Sequence, residues 1–492
     1  MSDKRNDYQW KTLDKDLNRL SSLEQATMHV SRPLVGLGVG MIFIALAALF
    51  AGASTSGSPE TWIMAAAAAF GAYMALNIGA NDVANNMGPA VGAKALSMVG
   101  AIAIAAVCES AGALLAGGDV VSTISKGIVD PAAVETKAVF IGAMLAALLS
   151  AALWVNIATW VGAPVSTTHS VVGGVMGAGV AAAGLTAVNW PTMGAIAASW
   201  VISPLLGGVI AAALLALIKA KVIYTEDKIA AARRWVPILI GLMAAAFGAY
   251  LALKGLKRIV KIDMGLALMI GVAVGVAAWA AAVPLIRRQS EGMENRNRSL
   301  KALFGMPLVL SAALLSFAHG ANDVANAVGP LAAIVHAMEA GGFAAKVAIP
   351  VWVMVIGAFG ISFGLILFGP KLIRMVGAQI TKLNPMRAYC VALSAAATVI
   401  VASWLGLPVS STHIAVGGVF GVGFFREWHA ERRVRMLNKN RPAKRLAEGE
   451  RRRRKLVRRS HFMTIVAAWV ITVPATALLS GVLYFALEAA LF

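Results

Sequence analysis

The chain has 492 residues, of which 59% are hydrophobic and only 13% are charged, and its mean hydropathy is +0.76. Soluble globular proteins are nearer half apolar and a quarter charged, so this composition excludes both a soluble and a disordered chain. The formal net charge of +20 would fit a nucleic-acid partner, but basic residues in alternate loops of a membrane protein explain it more simply. Since a membrane-spanning helix needs about 20 apolar residues, the chain is predicted to be an all-α polytopic membrane protein.

The polar segment 1–33 is predicted to be a cytoplasmic N-terminal tail. The apolar stretch 34–54 begins too far from the N-terminus for a cleaved signal peptide and is predicted to be an additional transmembrane span. Further apolar segments follow at about 61–92, 98–117, 138–161, 164–183, 191–218, 235–253, 263–286, 302–335, 347–369, 388–405, 407–425 and 462–491. The pattern predicts about 12–13 transmembrane segments.

The charges of the loops predict the orientation of the chain. With the N-terminus inside, the following basic stretches fall on the cytoplasmic side: 219–234, 287–301, 370–387 and 426–460. The acidic loop 118–137 falls outside, but the basic residues from Lys254 to Lys261 would also fall outside, against the rule. The long loop 426–460 is predicted to be a solvated cytoplasmic loop, with binding of anionic lipids, binding of a partner or regulation as the alternatives.

Two motifs occur twice, in the same order and at nearly the same spacing. The segment 79–89, GANDVANNMGP, recurs as GANDVANAVGP at 320–330, and GAPVSTTHSVVGG at 162–174 recurs as GLPVSSTHIAVGG at 406–418. A shorter match pairs Trp200-Val-Ile-Ser with Trp469-Val-Ile-Thr. Seven segments separate the starts of the two copies, so the second copy enters the membrane from the opposite side. Inverted repeats with polar, Gly/Pro-interrupted segments indicate a secondary transporter with a binding site near the midplane.

The repeats predict the organisation of the chain. A first inverted repeat spans 61–218, a connecting region with two spans covers 219–301, and a second inverted repeat spans 302–491 and includes the basic loop. Because glycines flank the GANDVAN segments and a proline follows each, the helix is expected to break there, with broken or re-entrant helices in both repeats.

The first motif places acidic and amide side chains inside apolar segments. Asp82 and Asp323 occupy equivalent positions in the two repeats, and an acidic residue within a membrane span indicates a functional site. The neighbouring amides are Asn81, Asn85, Asn86, Asn322 and Asn326. Carboxylate and amide oxygens are suitable ligands for a small cation, so a small cation such as Na⁺ could bind in the region of Asp82 and Asp323.

The second motif supplies two hydroxyl triplets, each after a proline that suits a helix N-terminus. Their members are Ser166, Thr167 and Thr168 in the first repeat, and Ser410, Ser411 and Thr412 in the second. Hydroxyls, free N–H groups and positive helix ends together bind an oxyanion without Lys or Arg, and an anion bound beside a cation indicates symport. Taken singly, each hydroxyl or Asn fits helix packing nearly as well. For His169 and His413, which end the motifs, packing or capping is favoured over a proton relay.

At these residues the chain resembles the inorganic phosphate transporter (PiT) family, whose duplicated signature matches the paired GANDVAN segments and the PVSTTH and PVSSTH segments. The resemblance covers about 61–491. It implies two inverted repeats, symport of inorganic phosphate with Na⁺ or H⁺ and no other cofactor, and a homodimer. It places Asp82, Asp323, the neighbouring asparagines and both triplets at the substrate and ion sites.

The resemblance also implies a functional Glu in the span after the first motif, and Glu109 matches it. An intramembrane acid at this position is a candidate cation ligand on its own account. Many family members carry a second Glu shortly before the second hydroxyl motif, where this chain has Ala392. The coupling ion and its number therefore stay open.

Several alternatives to phosphate symport follow from the same residues. Phosphate keeps a proton that it donates to a carboxylate, whereas sulfate has none, so acids that face the anion favour phosphate over a sulfate permease of the same fold. An anion channel fits duplicated polar clusters less well than alternating access does. No motif indicates an enzyme or a primary pump, and only charge favours nucleic acid. The compact loops favour a multi-pass protein of the bacterial inner membrane, in contact with membrane lipids.

Overall fold

The structure is a computed structural model that describes residues 34–55, 60–130, 133–161, 165–255, 262–339, 349–379, 383–437 and 459–491. Within these residues the fold is all-α, as predicted, with a single isolated β-bridge between Val129 and Val188. The predicted tail 1–33 and the central part of the basic loop, 438–458, lie outside the described residues.

Fifteen α-helices lie in the described part of the chain. They are α1 (Leu34–Ser54), α2 (Thr61–Gly92), α3 (Met98–Ala116), α4 (Gly118–Ser122), α5 (Lys137–Val161), α6 (Thr167–Ala183), α7 (Trp190–Ile218), α8 (Lys228–Lys254), α9 (Met264–Gln289), α10 (Asn297–Leu303), α11 (Gly305–Glu339), α12 (Val351–Gln379), α13 (Pro385–Trp404), α14 (Ser411–Leu437) and α15 (Arg459–Leu491).

Eleven of these helices are long and apolar enough to cross a membrane, judged by length and composition. They correspond to all but two of the apolar segments of the sequence. The first exception is α6, which has only 17 residues, and the second is α14, which becomes highly charged after Phe425. The protein is therefore a multi-pass membrane protein. By length and composition, α6 and α14 are not candidates for full membrane spans.

The two inverted repeats interleave. Helix α2 of the first repeat packs against α12 of the second, and α11 of the second packs against α3 of the first. In the same way α6 packs against α15, and α14 packs against α7. Each repeat therefore completes the packing of the other, and neither forms a separate core.

A pseudo-two-fold axis passes between α3 and α12. Gly112 in α3 faces the backbone of Phe317 as Gly364 in α12 faces that of Leu76, so these glycines are equivalent. Two residues before each glycine, the hydroxyls of Ser110 and Ser362 lie 2.6 Å apart. Equivalent residues thus meet at the axis.

Helices α5 and α6 form a first helical hairpin, and α13 and α14 form a second; the tip of each is where its two helices join. The tips meet, because the hydroxyl of Thr168 donates to the carbonyl of Val409 over 3.0 Å. The first hairpin ends near Val188, just before α7 begins, while Phe425 of the second lies 5.1 Å beneath the ammonium of Lys219, just after α7 ends. The hairpins therefore reach the centre from opposite ends of the molecule, in the predicted re-entrant arrangement.

The expectation that the helix breaks at the GANDVAN segments is wrong. Helices α2 and α11 continue through both segments, and the chain turns back at the hairpin tips instead. The glycines serve close approach between helices: a Cβ at Gly79 would overlap the carbonyl of Ile361, and a Cβ at Gly320 would overlap that of Glu109. Small residues that let helix backbones approach are a common basis of packing in membranes.

The basic loop that disagreed with the charge rule is partly neutralised. Lys254 forms an ion pair with Asp119 and donates a hydrogen bond to the carbonyl of Trp404 over 3.3 Å. The remainder of its basic residues, Lys257, Arg258 and Lys261, lie outside the described residues.

Candidate functional site at the hairpin tips

Asp82 joins the two hairpin tips. Its side chain is buried in α2, and its Oδ2 accepts a hydrogen bond from the hydroxyl of Thr167 over 2.9 Å. Its Oδ1 accepts one from the hydroxyl of Thr412 over 3.1 Å. One carboxylate is thus bound by a hydroxyl from each predicted triplet, and the two triplets come from different repeats.

The motif asparagines cross between the repeats. Asn85 in α2 donates to the hydroxyl of Thr412 over 2.8 Å. Its equivalent, Asn326 in α11, donates to the hydroxyl of Thr168 over 3.1 Å. Each GANDVAN segment is therefore bonded to the hydroxyl triplet of the other repeat.

Asp323 occupies the equivalent position to Asp82 but has a different environment. Its Oδ2 accepts from the hydroxyl of Ser411 over 3.0 Å, which matches the bond between Thr167 and Asp82. Its Oδ1 is buried and has no hydrogen-bond partner among the described residues. The hydroxyl of Thr168, which would complete the symmetry, donates to the Val409 carbonyl instead.

His319 is a site residue that the comparison of the two repeats did not predict. Its Nε2 lies 2.8 Å from Oδ2 of Asp323 and 3.7 Å from Oδ2 of Asp82, while its Nδ1 lies 3.3 Å from Oε1 of Glu109. The imidazole is fully buried among three carboxylates. In the sequence, this His stands directly before the second GANDVAN segment, within an apolar stretch. A comparison of the two repeats selects only the residues that both share, and the first repeat has Ile78 at the equivalent position.

Glu109 lies beside His319 on the side away from the hydroxyls. Its Oε1 accepts from the amide of Asn86 over 2.9 Å, and its buried Oε2 has no partner among the described residues. Gly320 faces the backbone of Glu109 as Gly79 faces that of Ile361, so Ile361 is its equivalent in the second repeat. The second repeat therefore has an apolar residue where the first has an acid.

The predicted residues at the margin of the site brace the hairpins. Asn322 donates to the carbonyl of Leu407 over 3.2 Å and accepts from the backbone N–H of Val409 over 3.2 Å, while Asn81 donates to the hydroxyl of Thr159 over 2.8 Å. The hydroxyls of Ser166 and Ser410 cap α6 and α14, since they accept from the backbone N–H groups of His169 and His413 over 3.1 Å and 3.3 Å.

The arrangement combines features of a cation site and of an anion site. One ligand atom each from Asp82, His319 and Asp323 lies within 4.8 Å of the others, so this cluster could hold a cation. Three carboxylates face one imidazole, and no Lys or Arg is buried in the described part of the chain. Opposite the carboxylates lie hydroxyls at the N-termini of α6 and α14, where free N–H groups favour an anion.

Comparisons with known proteins decide the family. Residues 78–480 match the model described as "Phosphate transporter family". The chain belongs to the phosphate transporter family. This membership confirms the resemblance drawn from the paired motifs, makes the protein a transporter and not an enzyme, and places it in phosphate transport.

Individual members of the phosphate transporter family are similar over most of the chain. A Helicobacter pylori protein named "Putative phosphate permease" is 44% identical, over 96% of this chain and 98% of its own length. An Arabidopsis thaliana protein named "Inorganic phosphate transporter 2-1, chloroplastic" is 37% identical, over 84% of this chain and 70% of its own. A solved structure described as "The sodium-dependent phosphate transporter" is 35% identical, with a TM-score of 0.77, and covers 87% of this chain and 100% of its own.

Proposed function

We propose that this protein is a Na⁺-coupled phosphate symporter that works by alternating access, with phosphate bound between the two hairpin tips. The observation that carries the proposal is the double contact of Asp82. Its carboxylate is bonded to Thr167 of one triplet and to Thr412 of the other, so the cation ligands and the oxyanion donors adjoin at one buried place.

Phosphate is held by the hydroxyls of both triplets and by the first N–H groups of α6 and α14. Two helix N-termini that approach from opposite sides supply positive potential without a Lys or an Arg. A phosphate oxygen that takes the hydroxyls of Thr167 and Thr412 replaces the Asp82 carboxylate as their acceptor. A cation on that carboxylate compensates for the lost hydrogen bonds, which couples the two substrates.

The coupling cation is held by Asp82, Asp323 and the motif asparagines, with Glu109 as a further acid. Na⁺ is favoured over H⁺ because these ligands are hard oxygen donors and because a solved structure 35% identical to this chain is described as sodium-dependent. The lack of an acid at Ala392, which is buried in α13, leaves Glu109 as the acidic ligand outside the GANDVAN segments.

The direction of the carboxylates favours phosphate over sulfate. Both Asp82 and Asp323 accept hydrogen bonds from triplet hydroxyls, so both carboxylates point toward the proposed anion position. A protonated phosphate oxygen donates to a carboxylate there, whereas sulfate has no proton to donate and would be repelled by the carboxylates. The names of the family and of the relatives given above likewise refer to phosphate.

Alternating access is supported by the inverted hairpins. The two tips meet at the centre while their bases lie at opposite ends of α7, which supports a mechanism with one hairpin for each side of the membrane. Exchange of conformation between the two repeats would open the site to one side and then to the other.

The cellular placement is part of the proposal: a homodimer in the bacterial inner membrane, in contact with its lipids, with the N-terminus in the cytoplasm. The loops 219–234 and 287–301 lie together, because Lys228 donates its backbone N–H to Asn295 over 2.9 Å.

Single cysteines at two exposed positions test the orientation, in a protein whose Cys108 and Cys390 are replaced by alanine. A cysteine at Arg298 should react with an impermeant reagent added from the cytoplasmic side, and a cysteine at Asp130 should react with one added from the outer side. The reverse pattern would refute the orientation, and a monomeric mass in nanodiscs would refute the dimer.

Uptake of radiolabelled phosphate into proteoliposomes tests the function. The proposal predicts accumulation driven by an inward Na⁺ gradient, unaffected by excess sulfate and not replaced by a pH gradient. Accumulation driven only by the pH gradient would change the coupling ion. Sulfate uptake without phosphate uptake would overturn the substrate, and downhill flux without accumulation would indicate a channel.

A further inference from the structure

Four aromatic rings form a column across the pseudo-two-fold axis, behind the hydroxyl triplets. The ring centroids of Trp200 and His169 are 3.9 Å apart, those of His169 and His413 are 4.5 Å apart, and those of His413 and Trp469 are 3.7 Å apart. The central pair meets edge to face, with an interplanar angle of 86°. The two halves of this ring column are equivalent residues of the two repeats.

The ring column accounts for two sequence features to which the transport proposal gives no role. These are the histidine at the end of each hydroxyl motif and the shorter repeat that pairs Trp200-Val-Ile-Ser with Trp469-Val-Ile-Thr. Each tryptophan ring packs against the histidine ring of its own repeat, and the histidines meet across the axis. The shorter repeat therefore preserves a packing contact.

The environment of the histidines argues against proton transfer. His169 and His413 are buried, with 4% and 1% of their surfaces exposed, and neither forms an ion pair with an acid in the described part of the chain. The buried histidine that lies next to acidic side chains is His319. Aromatic rings pack favourably in offset-stacked and edge-to-face arrangements, so contact with neighbouring rings accounts for these side chains.

The ring column is connected directly to the triplets. His169 follows Thr168 in the first turn of α6, and its backbone N–H is the donor to the Ser166 cap. The ring of Trp200 packs against His169 of the first hairpin, and its indole N–H donates to the carbonyl of Pro408 in the second hairpin over 3.1 Å. One side chain of α7 therefore contacts both tips.

We propose that the ring column fixes the two hydroxyl triplets relative to each other, so that Trp200, His169, His413 and Trp469 are positioning residues for phosphate. They do not touch the substrate. This inference rests on the proposed function insofar as phosphate is the ligand positioned, and it assigns the two histidines a packing role in place of a proton-relay role.

Ring shape, not the imidazole nitrogen, should then matter at His169 and His413. We expect His169→Phe and His413→Phe to keep the phosphate KM within about threefold of wild type and to leave the pH profile of uptake unchanged. His169→Ala and His413→Ala should raise the phosphate KM by about tenfold with kcat less affected, since misplaced hydroxyls lose hydrogen bonds to the anion. Loss of uptake or an altered pH profile in the Phe variants would overturn the inference.

The contribution of Trp200 to both tips has its own test. Trp200→Phe retains a ring against His169 but removes the N–H that donates to Pro408, so its phosphate KM should fall between those of wild type and Trp200→Ala. Trp235→Ala provides the control, because Trp235 is half-buried in α8, outside both repeats and outside the ring column. An effect of Trp235→Ala on KM equal to that of Trp200→Ala would contradict a specific role.

A measurement without phosphate separates this inference from the transport proposal. Thermal unfolding in detergent of His169→Ala, His413→Ala and the double variant forms a double-mutant cycle. The ring column predicts that the double variant loses less stability than the sum of the single losses. Additive losses would refute contact between the tips through these rings, whether or not the wild-type protein transports phosphate. Non-additive losses together with an absence of phosphate uptake would refute only the transport proposal.

Discussion

The Nε2 atom of His319 lies 2.8 Å from Oδ2 of Asp323, one helical turn further along α11. The equivalent acid in the first repeat, Asp82, has Ile78 at the corresponding position of α2. On its other side the same imidazole lies 3.3 Å from Glu109, whose equivalent is Ile361. A histidine and an acid therefore occupy one half of a pseudo-symmetric site where the other half has two isoleucines.

Replacement of His319 by isoleucine makes this position the same in both repeats and tests its role. The change leaves three buried carboxylates without their imidazole, and an unpaired buried charge is strongly destabilising. We expect phosphate uptake to fall by more than about tenfold and Na⁺ to stabilise the variant against thermal unfolding more than it stabilises wild type. Ile78→Val is the matched control and should retain uptake. Wild-type uptake by His319→Ile would contradict a role for this residue.

Asp82→Asn and Asp323→Asn keep the shape of each side chain but remove its charge. Because Asp82 is bonded to both triplets and Asp323 to one, we expect Na⁺-driven uptake to be lost in Asp82→Asn and reduced in Asp323→Asn. Initial rates at several Na⁺ concentrations measure the difference. Unchanged Na⁺ dependence in a well-folded Asp82→Asn protein would refute its assignment as a cation ligand.

Thr412→Val removes a hydroxyl that donates to Asp82 and accepts from Asn85, at almost constant volume. We expect the phosphate KM to rise by about tenfold, which corresponds to about one lost hydrogen bond to a charged ligand. Thr398→Val is the matched control, because the buried hydroxyl of Thr398 donates to the carbonyl of Ser394 within its own helix. Equal effects of the two substitutions on KM would indicate a general packing defect.

The glycines of the GANDVAN segments should be required for helix packing and not for helix breaking. Gly320→Ala places a methyl group against the carbonyl of Glu109, and overpacking of this kind costs about 1–3 kcal/mol. We expect a lower melting temperature in detergent for Gly320→Ala and no decrease for Gly194→Ala, where the added Cβ meets nothing within 4 Å. An unchanged melting temperature for Gly320→Ala would argue that the segment unwinds after all.

The sequence predicted the inverted fold because both repeats retain the residues that face the axis. It also selected Asp82, Asp323 and the triplet hydroxyls, which the structure brings together, although their roles stay predictions. It did not predict His319, because a residue present in one repeat alone is invisible to a comparison of repeats. It misjudged the glycines, since a Gly-rich helical stretch has the same composition whether it unwinds or packs closely against a neighbour.

The hairpins show a related limit. Hydropathy finds α5 and α6 as two apolar segments, but whether a segment crosses the membrane or returns at its centre depends on contacts between distant parts of the chain. The bond between Thr168 and Val409 is one such contact, and no local pattern encodes it.

Calorimetric titration of phosphate into the purified protein, with and without Na⁺, tests the link between the two substrates at Asp82. If a cation on the carboxylate releases the hydroxyls of Thr167 and Thr412 to phosphate, Na⁺ should raise the affinity of the protein for phosphate. Phosphate should then raise the affinity for Na⁺ by the same factor. Asp82→Asn should abolish both effects. Phosphate affinity that is independent of Na⁺ in the wild-type protein, or an undiminished Na⁺ effect in Asp82→Asn, would contradict coupling at this site.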